Sequence, residues 1–140
     1  MRPVTTALLA VLLVAVSAVP VAAASPLRGT IKRSFTADGV NGRITATFPA
    51  KAAHIYASFV WLRAPTAGQK LEIDWYGPTG IRVAVWKDKT LPTDSAGTRL
   101  YSFISRKTIA NRPGQWRVAL LVGGVERAAK TFTVAKAAKP

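Results

Sequence analysis

The chain has 140 residues and carries 20 Lys and Arg against six Asp and Glu, a formal net charge of +14. It contains no cysteine, which excludes disulfide frameworks, thiolate metal sites and lipid attachment to an N-terminal cysteine. This length suits one domain with a single core, and the charge points to anionic partners or simply to solubility.

The first 24 residues have the pattern of a signal peptide. Arg2 provides a positive start, the run after it is nearly all Ala, Val and Leu, and Ala22 and Ala24 place small residues before Ser25. The alternative is an uncleaved membrane anchor, because the apolar run is about long enough to span a bilayer. We favour cleavage because the positive flank is weak and the cleavage site is well formed. The expected product is an exported chain, periplasmic or extracellular, without a transmembrane anchor.

Residues 25–134 are predicted to form short strands joined by turns. Apolar and polar residues alternate with a period of two, and pairs such as Asp38-Gly39 and Gly123-Gly124 mark turns between the segments. The helix formers at 126–130 are too few to nucleate a helix. Residues 135–140 are expected to be a flexible basic tail. The predicted strands are 30–37, 43–48, 55–62, 71–76, 81–87, 98–105, 115–122 and 126–134.

The stretch 71–87 has the clearest strand pattern. Leu71, Ile73 and Trp75 alternate with polar residues, and a Gly-Pro-Thr-Gly sequence at 77–80 then predicts a turn. After the turn, Val83 and its i+2 neighbours continue the alternation. A hairpin of this kind needs further strands to cover its apolar face. The whole pattern predicts an all-β fold, an antiparallel β-sandwich of seven or eight strands.

Three motifs in the chain resemble those of bacterial secreted immunoglobulin-like modules. They are a W-x-x-P-x-G turn at 75–80, a P-G-x-W-x-V strand at 113–118 and a closing F-x-V strand at 132–134. The resemblance covers nearly all of residues 25–140 and implies an immunoglobulin-like sandwich. It implies no particular activity, because the motifs are structural. The cysteine pair of immunoglobulins is absent, although Trp75 is placed to be the core tryptophan.

Strand phase separates three of the four tryptophans into core and surface positions. Trp75 and Trp116 are in phase with apolar neighbours and are predicted to lie in the core. Trp86 is out of phase with Val83 and in phase with Arg82, so it is predicted to be an exposed aromatic residue.

Catalytic chemistry has few candidates in this sequence. His54 is the only histidine, so a metal site or a Ser-His nucleophile would depend on that one residue. Glu72 and Asp74 project from the same face of a strand, roughly 6.5–7 Å apart, which suits a glycosidase-like acid and base. The alternative is ion pairing with Arg82 and Arg117, and we favour it because arginine is in excess. We therefore expect no enzyme activity, cofactor or metal.

One outer sheet face combines aromatic, basic and apolar residues, which suits a ligand or a protein partner. The leading hypothesis is an exported, non-catalytic immunoglobulin-like binding module that recognises an anionic cell-envelope component. The alternatives are an assembly subunit that packs this sheet on an envelope protein and, less favoured, a small glycan-acting enzyme. Nucleic acid is expected to bind only non-specifically. The candidate face comprises Tyr76, Arg82, Trp86, Arg117 and Leu121.

Overall fold

The structure is a computed structural model that describes residues 31–139, so the predicted signal peptide lies outside the described residues. The described chain forms eight strands and one helical turn, in this order: β1 Ile31–Ala37, β2 Thr47–Phe48, β3 His54–Trp61, β4 Lys70–Tyr76, β5 Arg82–Lys89, β6 Arg99–Ser105, α1 Arg106–Ile109, β7 Gly114–Val122 and β8 Val125–Val134. Within residues 31–139, no helix has the length and apolar character needed to cross a membrane.

The strands form two sheets that pack face to face. One sheet has three strands in the order β1-β3-β6, and the other has five in the order β2-β8-β7-β4-β5. The neighbouring strands are antiparallel except for β2, which runs parallel to β8. β5 and β6 are edge strands of different sheets, so the sandwich is open between them. The all-β sandwich predicted from the alternation is therefore confirmed.

The core lies between the sheets and is rich in aromatic rings. Trp61, Trp75 and Trp116 are all fully buried, which confirms the predicted core positions of Trp75 and Trp116. The Trp116 ring stacks on Phe132 with centroids 6.1 Å apart. Phe132 also meets Trp75 edge to face at 5.9 Å, so one ring links tryptophans of two neighbouring strands. Contacts of this kind add to the free energy gained by burying the rings.

The predicted strand at 43–48 is mostly wrong. Regular pairing is confined to β2, and Ile44 makes only an isolated bridge to Ala37. The Asp38 carboxylate accepts a hydrogen bond from the backbone N–H of Arg43, and the Thr36 hydroxyl donates to the carbonyl of Thr45. Such side-chain bonds compete with a strand ladder. The predicted connector after β6 also contains a single helical turn, α1.

The predicted outward orientation of Trp86 is also wrong. The β4–β5 register shifts between Trp75 and Tyr76, because Val83 is an extra residue that lies opposite no partner. A bulge of one residue reverses the phase of everything after it. Trp86 therefore lies opposite the buried Ile73 and packs against the core from the sheet edge, half-buried.

Candidate functional site

Four of the five predicted face residues lie on the outer face of the five-stranded sheet. Tyr76 is opposite Arg117 on one side and Arg82 on the other, and Leu121 lies on the same face. The Arg117 guanidinium carbon lies 5.7 Å from the centre of the Tyr76 ring, a cation–π contact. Trp86 does not join them. It lines a separate cleft of about 490 Å³ between β5 and β6.

Charge at the candidate arginines of this outer face is compensated. Asp74 accepts a hydrogen bond from Nη1 of Arg82 at 3.1 Å, which confirms the expected ion pair. Glu72 pairs with Lys87 at 3.4 Å, whereas an arginine partner had been expected. Arg117 pairs with Glu126 on β8. Three cations thus meet three of the chain's six carboxylates, whereas Lys70 and Lys89, opposite each other on the same face, make no ion pair within the described residues.

The Asp74 carboxylate is the buried centre of this network. It is 2% exposed, and its Oδ2 also accepts a hydrogen bond from the Tyr76 hydroxyl at 3.2 Å. Its Oδ1 has no partner within the described residues. Burial, followed by the charge of Asp74, raises the pKa of Tyr76. The phenol is therefore held protonated as a donor to Asp74, and the cluster acts as a structural network.

Four cations without an ion pair in the described part of the chain also line a groove at one end of the sandwich. The groove, of about 480 Å³, lies between the segment before β3, the end of α1 and the chain after β8. Ile109 and Val134 form its apolar floor. No carboxylate lies among the described residues that line it, and none of its cations is ion-paired within residues 31–139. We call it the basic groove; its cationic residues are Lys51, Arg106, Arg112 and Lys136.

Backbone hydrogen bonds fix the walls of the basic groove. The N–H of Arg106 donates to the carbonyl of Ala53 at 2.8 Å, and its Nη2 donates to the carbonyl of Lys51 at 2.7 Å. The carbonyl of Arg112 accepts a hydrogen bond from the indole of Trp116 at 3.0 Å. The two arginine backbones are thereby held in place, which lowers the ordering cost of binding a ligand at the groove.

A second surface feature lies on the outer face of the three-stranded sheet. The His54 and Phe103 rings are 5.2 Å apart, Phe103 and Tyr56 are 5.2 Å apart, and Tyr56 and Tyr101 are 6.4 Å apart. Tyr101 is 46% exposed and Phe103 is 50% exposed. We call these four residues the aromatic face. Contiguous exposed rings of this kind are unusual on the surface of a monomeric protein.

Sequence reasoning missed both features, although a signal for one was present. Tyr101 and Phe103 stand at i and i+2 in the polar phase of their strand, and Tyr56 occupies the non-core phase of another strand. Pairing of β3 with β6 brings the three together. The basic groove had no such local signal, because Lys51 and Lys136 are far apart in the sequence.

The described part of the chain contains no cluster of side chains that could bind a metal ion. No three His, Asp or Glu side chains within residues 31–139 come close enough to hold an ion. His54 lies on the aromatic face, where its ring contacts Tyr56 and Phe103.

Comparison with known proteins shows the fold. No protein-family model and no curated protein matches the chain. An immunoglobulin-like protein of Pseudomonas aeruginosa superposes with a TM-score of 0.53 at 15% identity, over 76% of this chain and 94% of that one. The fold is therefore immunoglobulin-like, as the motifs implied.

Two weaker likenesses carry no argument about function. One is an alkylpurine DNA glycosylase of Pseudomonas fluorescens bound to DNA, with a TM-score of 0.42 at 18% identity over 76% of this chain and 30% of that one. The other is the sensor domain of an anti-sigma factor of Pseudobacteroides cellulosolvens. It has a TM-score of 0.43 at 12% identity, over 80% of this chain and 97% of that one.

Proposed function

We propose that this immunoglobulin-like chain is a non-catalytic binding module that takes an anionic group of its target in the basic groove. The observation that carries the proposal is a groove of about 480 Å³ whose described lining includes four cationic residues without an ion pair and no carboxylate. The target expected from the predicted export is an anionic component of the cell envelope.

Physical reasons make such a groove suited to phosphate or carboxylate groups. Two of its cations are arginines, whose planar guanidinium groups bind these anions in a bidentate manner. The apolar floor lowers the local dielectric constant, which strengthens each charge interaction. The excess of 19 basic over six acidic residues in 25–140 would also attract a polyanion at long range.

The placement of the carboxylates supports a non-catalytic role. Asp74 is buried and bonded to Arg82, and Glu72 is paired with Lys87. The two groups that had been weighed as a glycosidase-like acid and base are thus both held in ion pairs. A second candidate function, packing of an exposed sheet on an envelope protein, is favoured by the exposed rings of Tyr101 and Phe103.

The test is a salt titration of binding to linear polyphosphate. Lys51→Gln with Arg112→Gln removes two cations from the basic groove. We expect it to weaken binding and to reduce the slope of log affinity against log salt by about 1.4–1.8 units, because each lost phosphate contact removes about 0.7–0.9.

The control variant removes the same charge from the compensated face. Lys87→Gln with Arg117→Gln should leave the slope close to that of the wild-type protein, since both cations are already paired with carboxylates. Equal changes in the two variants would show that only overall charge matters. If the wild-type protein does not bind polyphosphate at low salt, the proposal is wrong and the second candidate function, binding to an envelope protein, takes its place.

A further inference from the structure

We infer that the ligand is an anionic glycan, with neutral sugar rings on the aromatic face and an acidic group in the basic groove. This inference rests on the proposed function and adds the chemical class of the ligand. It unites the two surface features, which the fold places side by side.

The aromatic face and the basic groove meet at one strand end. His54 lies opposite Ser105 in the β3–β6 pairing, and Arg106 follows directly. Arg106 lines the groove, while the row of rings runs away from it along the sheet from His54 towards Tyr101. A bound chain can therefore touch both features without crossing the core.

A polar recess beside the rings matches sugar hydroxyls. It has a volume of about 330 Å³, and its lining includes His54, Tyr56, Asp38, Arg43 and Thr47. The recess thus combines ring surfaces with a carboxylate, a guanidinium group and a hydroxyl, which can donate to and accept from a polyol. Few polar groups set among aromatic walls are typical of small-ligand sites of this size.

The distribution of charge argues against a nucleic acid. A single strand carries a phosphate at every nucleotide, so a strand lying on the rings would require cations along the whole row. The cations of the basic groove lie at the His54 end, and Ser58 is the residue opposite Tyr101. At the far end, Nη1 of Arg99 donates to the carbonyl of Val40 at 2.9 Å and to Asn41 at 3.2 Å. Arg43, beside the rings, lies 3.9 Å from the Asp38 carboxylate. Rings whose neighbouring guanidinium groups already contact the protein suit neutral sugars with an acidic group at one end.

Calorimetric titration of four probes tests the inference. The probes are cellohexaose, cellohexaose phosphorylated on a terminal sugar, inorganic pyrophosphate and hexathymidylate. We expect the phosphorylated glycan to bind at least about tenfold more tightly than pyrophosphate or cellohexaose, which corresponds to about 1.4 kcal/mol.

Tyr101→Ala with Phe103→Ala is the decisive variant, because both rings are half exposed and their loss spares the core. This variant should bind the phosphorylated glycan no more tightly than it binds pyrophosphate. Its affinity for pyrophosphate should equal that of the wild-type protein. The control is Leu91→Ala with Val125→Ala, two exposed apolar residues elsewhere, which should bind all probes as the wild-type protein does.

The two proposals fail in different ways. Equal affinity of the wild-type protein for pyrophosphate and the phosphorylated glycan would overturn the glycan inference alone. The same holds if Tyr101→Ala with Phe103→Ala loses more affinity for hexathymidylate than for the phosphorylated glycan. A wild-type protein that does not bind pyrophosphate even at low salt would overturn the proposed function, and the glycan inference with it.

Discussion

The indole nitrogen of Trp75 donates a hydrogen bond to the hydroxyl of Ser102 at 3.1 Å, and this bond joins the two sheets across the core. Trp75 belongs to the five-stranded sheet and Ser102 to the three-stranded sheet. Both are buried, at 1% and 7% exposure. The bond offsets the cost of burying the Trp75 N–H in an apolar interior, whereas the buried indole N–H of Trp61 has no partner within the described residues.

Ser102→Ala should therefore destabilise the protein by about 1–3 kcal/mol, since it leaves the Trp75 N–H buried without an acceptor. Denaturant unfolding measures the change. Ser105→Ala, at the end of the same strand, is the control, because its side chain makes no capping hydrogen bond. Equal stability of the two variants would show that the bond contributes nothing to folding.

Trp116→Ala should cost about 3–5 kcal/mol, because the ring is fully buried and stacked on Phe132. Trp86→Ala should cost clearly less, because Trp86 is half-buried at the edge strand. Denaturation midpoints of the two variants give the comparison. Equal losses would contradict the placement of Trp86 at the open side of the sandwich.

The raised pKa of Tyr76 predicts that the folded protein loses stability in alkaline solution. Burial and the nearby Asp74 charge raise the pKa of its phenol above the ordinary value of 10.0. The contribution of this group is thus fully present below pH 10 and is lost as the pH rises through the folded-state value.

The difference in phenolate absorbance between the wild-type protein and Tyr76→Phe isolates this titration. We expect a single tyrosine with a midpoint above 10.0, and the stability of Tyr76→Phe should fall less steeply over the same range. A difference curve centred at or below pH 10 would contradict the buried hydrogen bond to Asp74.

Gly114→Ala should be destabilising for two reasons. Gly114 has φ of +130°, which side chains rarely adopt, and an added Cβ would lie 3.1 Å from Cβ of Pro78. Gly97→Ala is a matched control, because Gly97 has φ of +90° but open space around its Cβ position. Thermal unfolding should show the larger loss for Gly114→Ala. A loss no larger than that of Gly97→Ala would exclude the contact with Pro78.

Much of the fold could be predicted because strand alternation is a local property. Leu71, Ile73 and Trp75 are buried as the period of two required, and Trp116 is in the core for the same reason. The prediction for 43–48 failed because a hydrogen bond accepted by Asp38 and one donated by Thr36, rather than β propensity, set the path of this segment.

The candidate face was only partly predictable. Tyr76, Arg82, Arg117 and Leu121 share a face as expected, but ion pairs with Asp74 and Glu126 offset the two arginines. Which cations are paired depends on strand neighbours, and β7 and β8 bring Arg117 to Glu126 through a bulge between Leu120 and Leu121. No local pattern in the sequence specifies that register.

The sequence by itself determined the all-β class, most of the strand limits and the core tryptophans, because each follows from the spacing of apolar residues within one strand. Only the tertiary structure decided the inward orientation of Trp86, the aromatic face and the basic groove. These depend on one inserted residue at Val83 and on contacts between segments as distant as Lys51 and Lys136. Long-range packing sets such arrangements, and a period-two pattern contains no information about it.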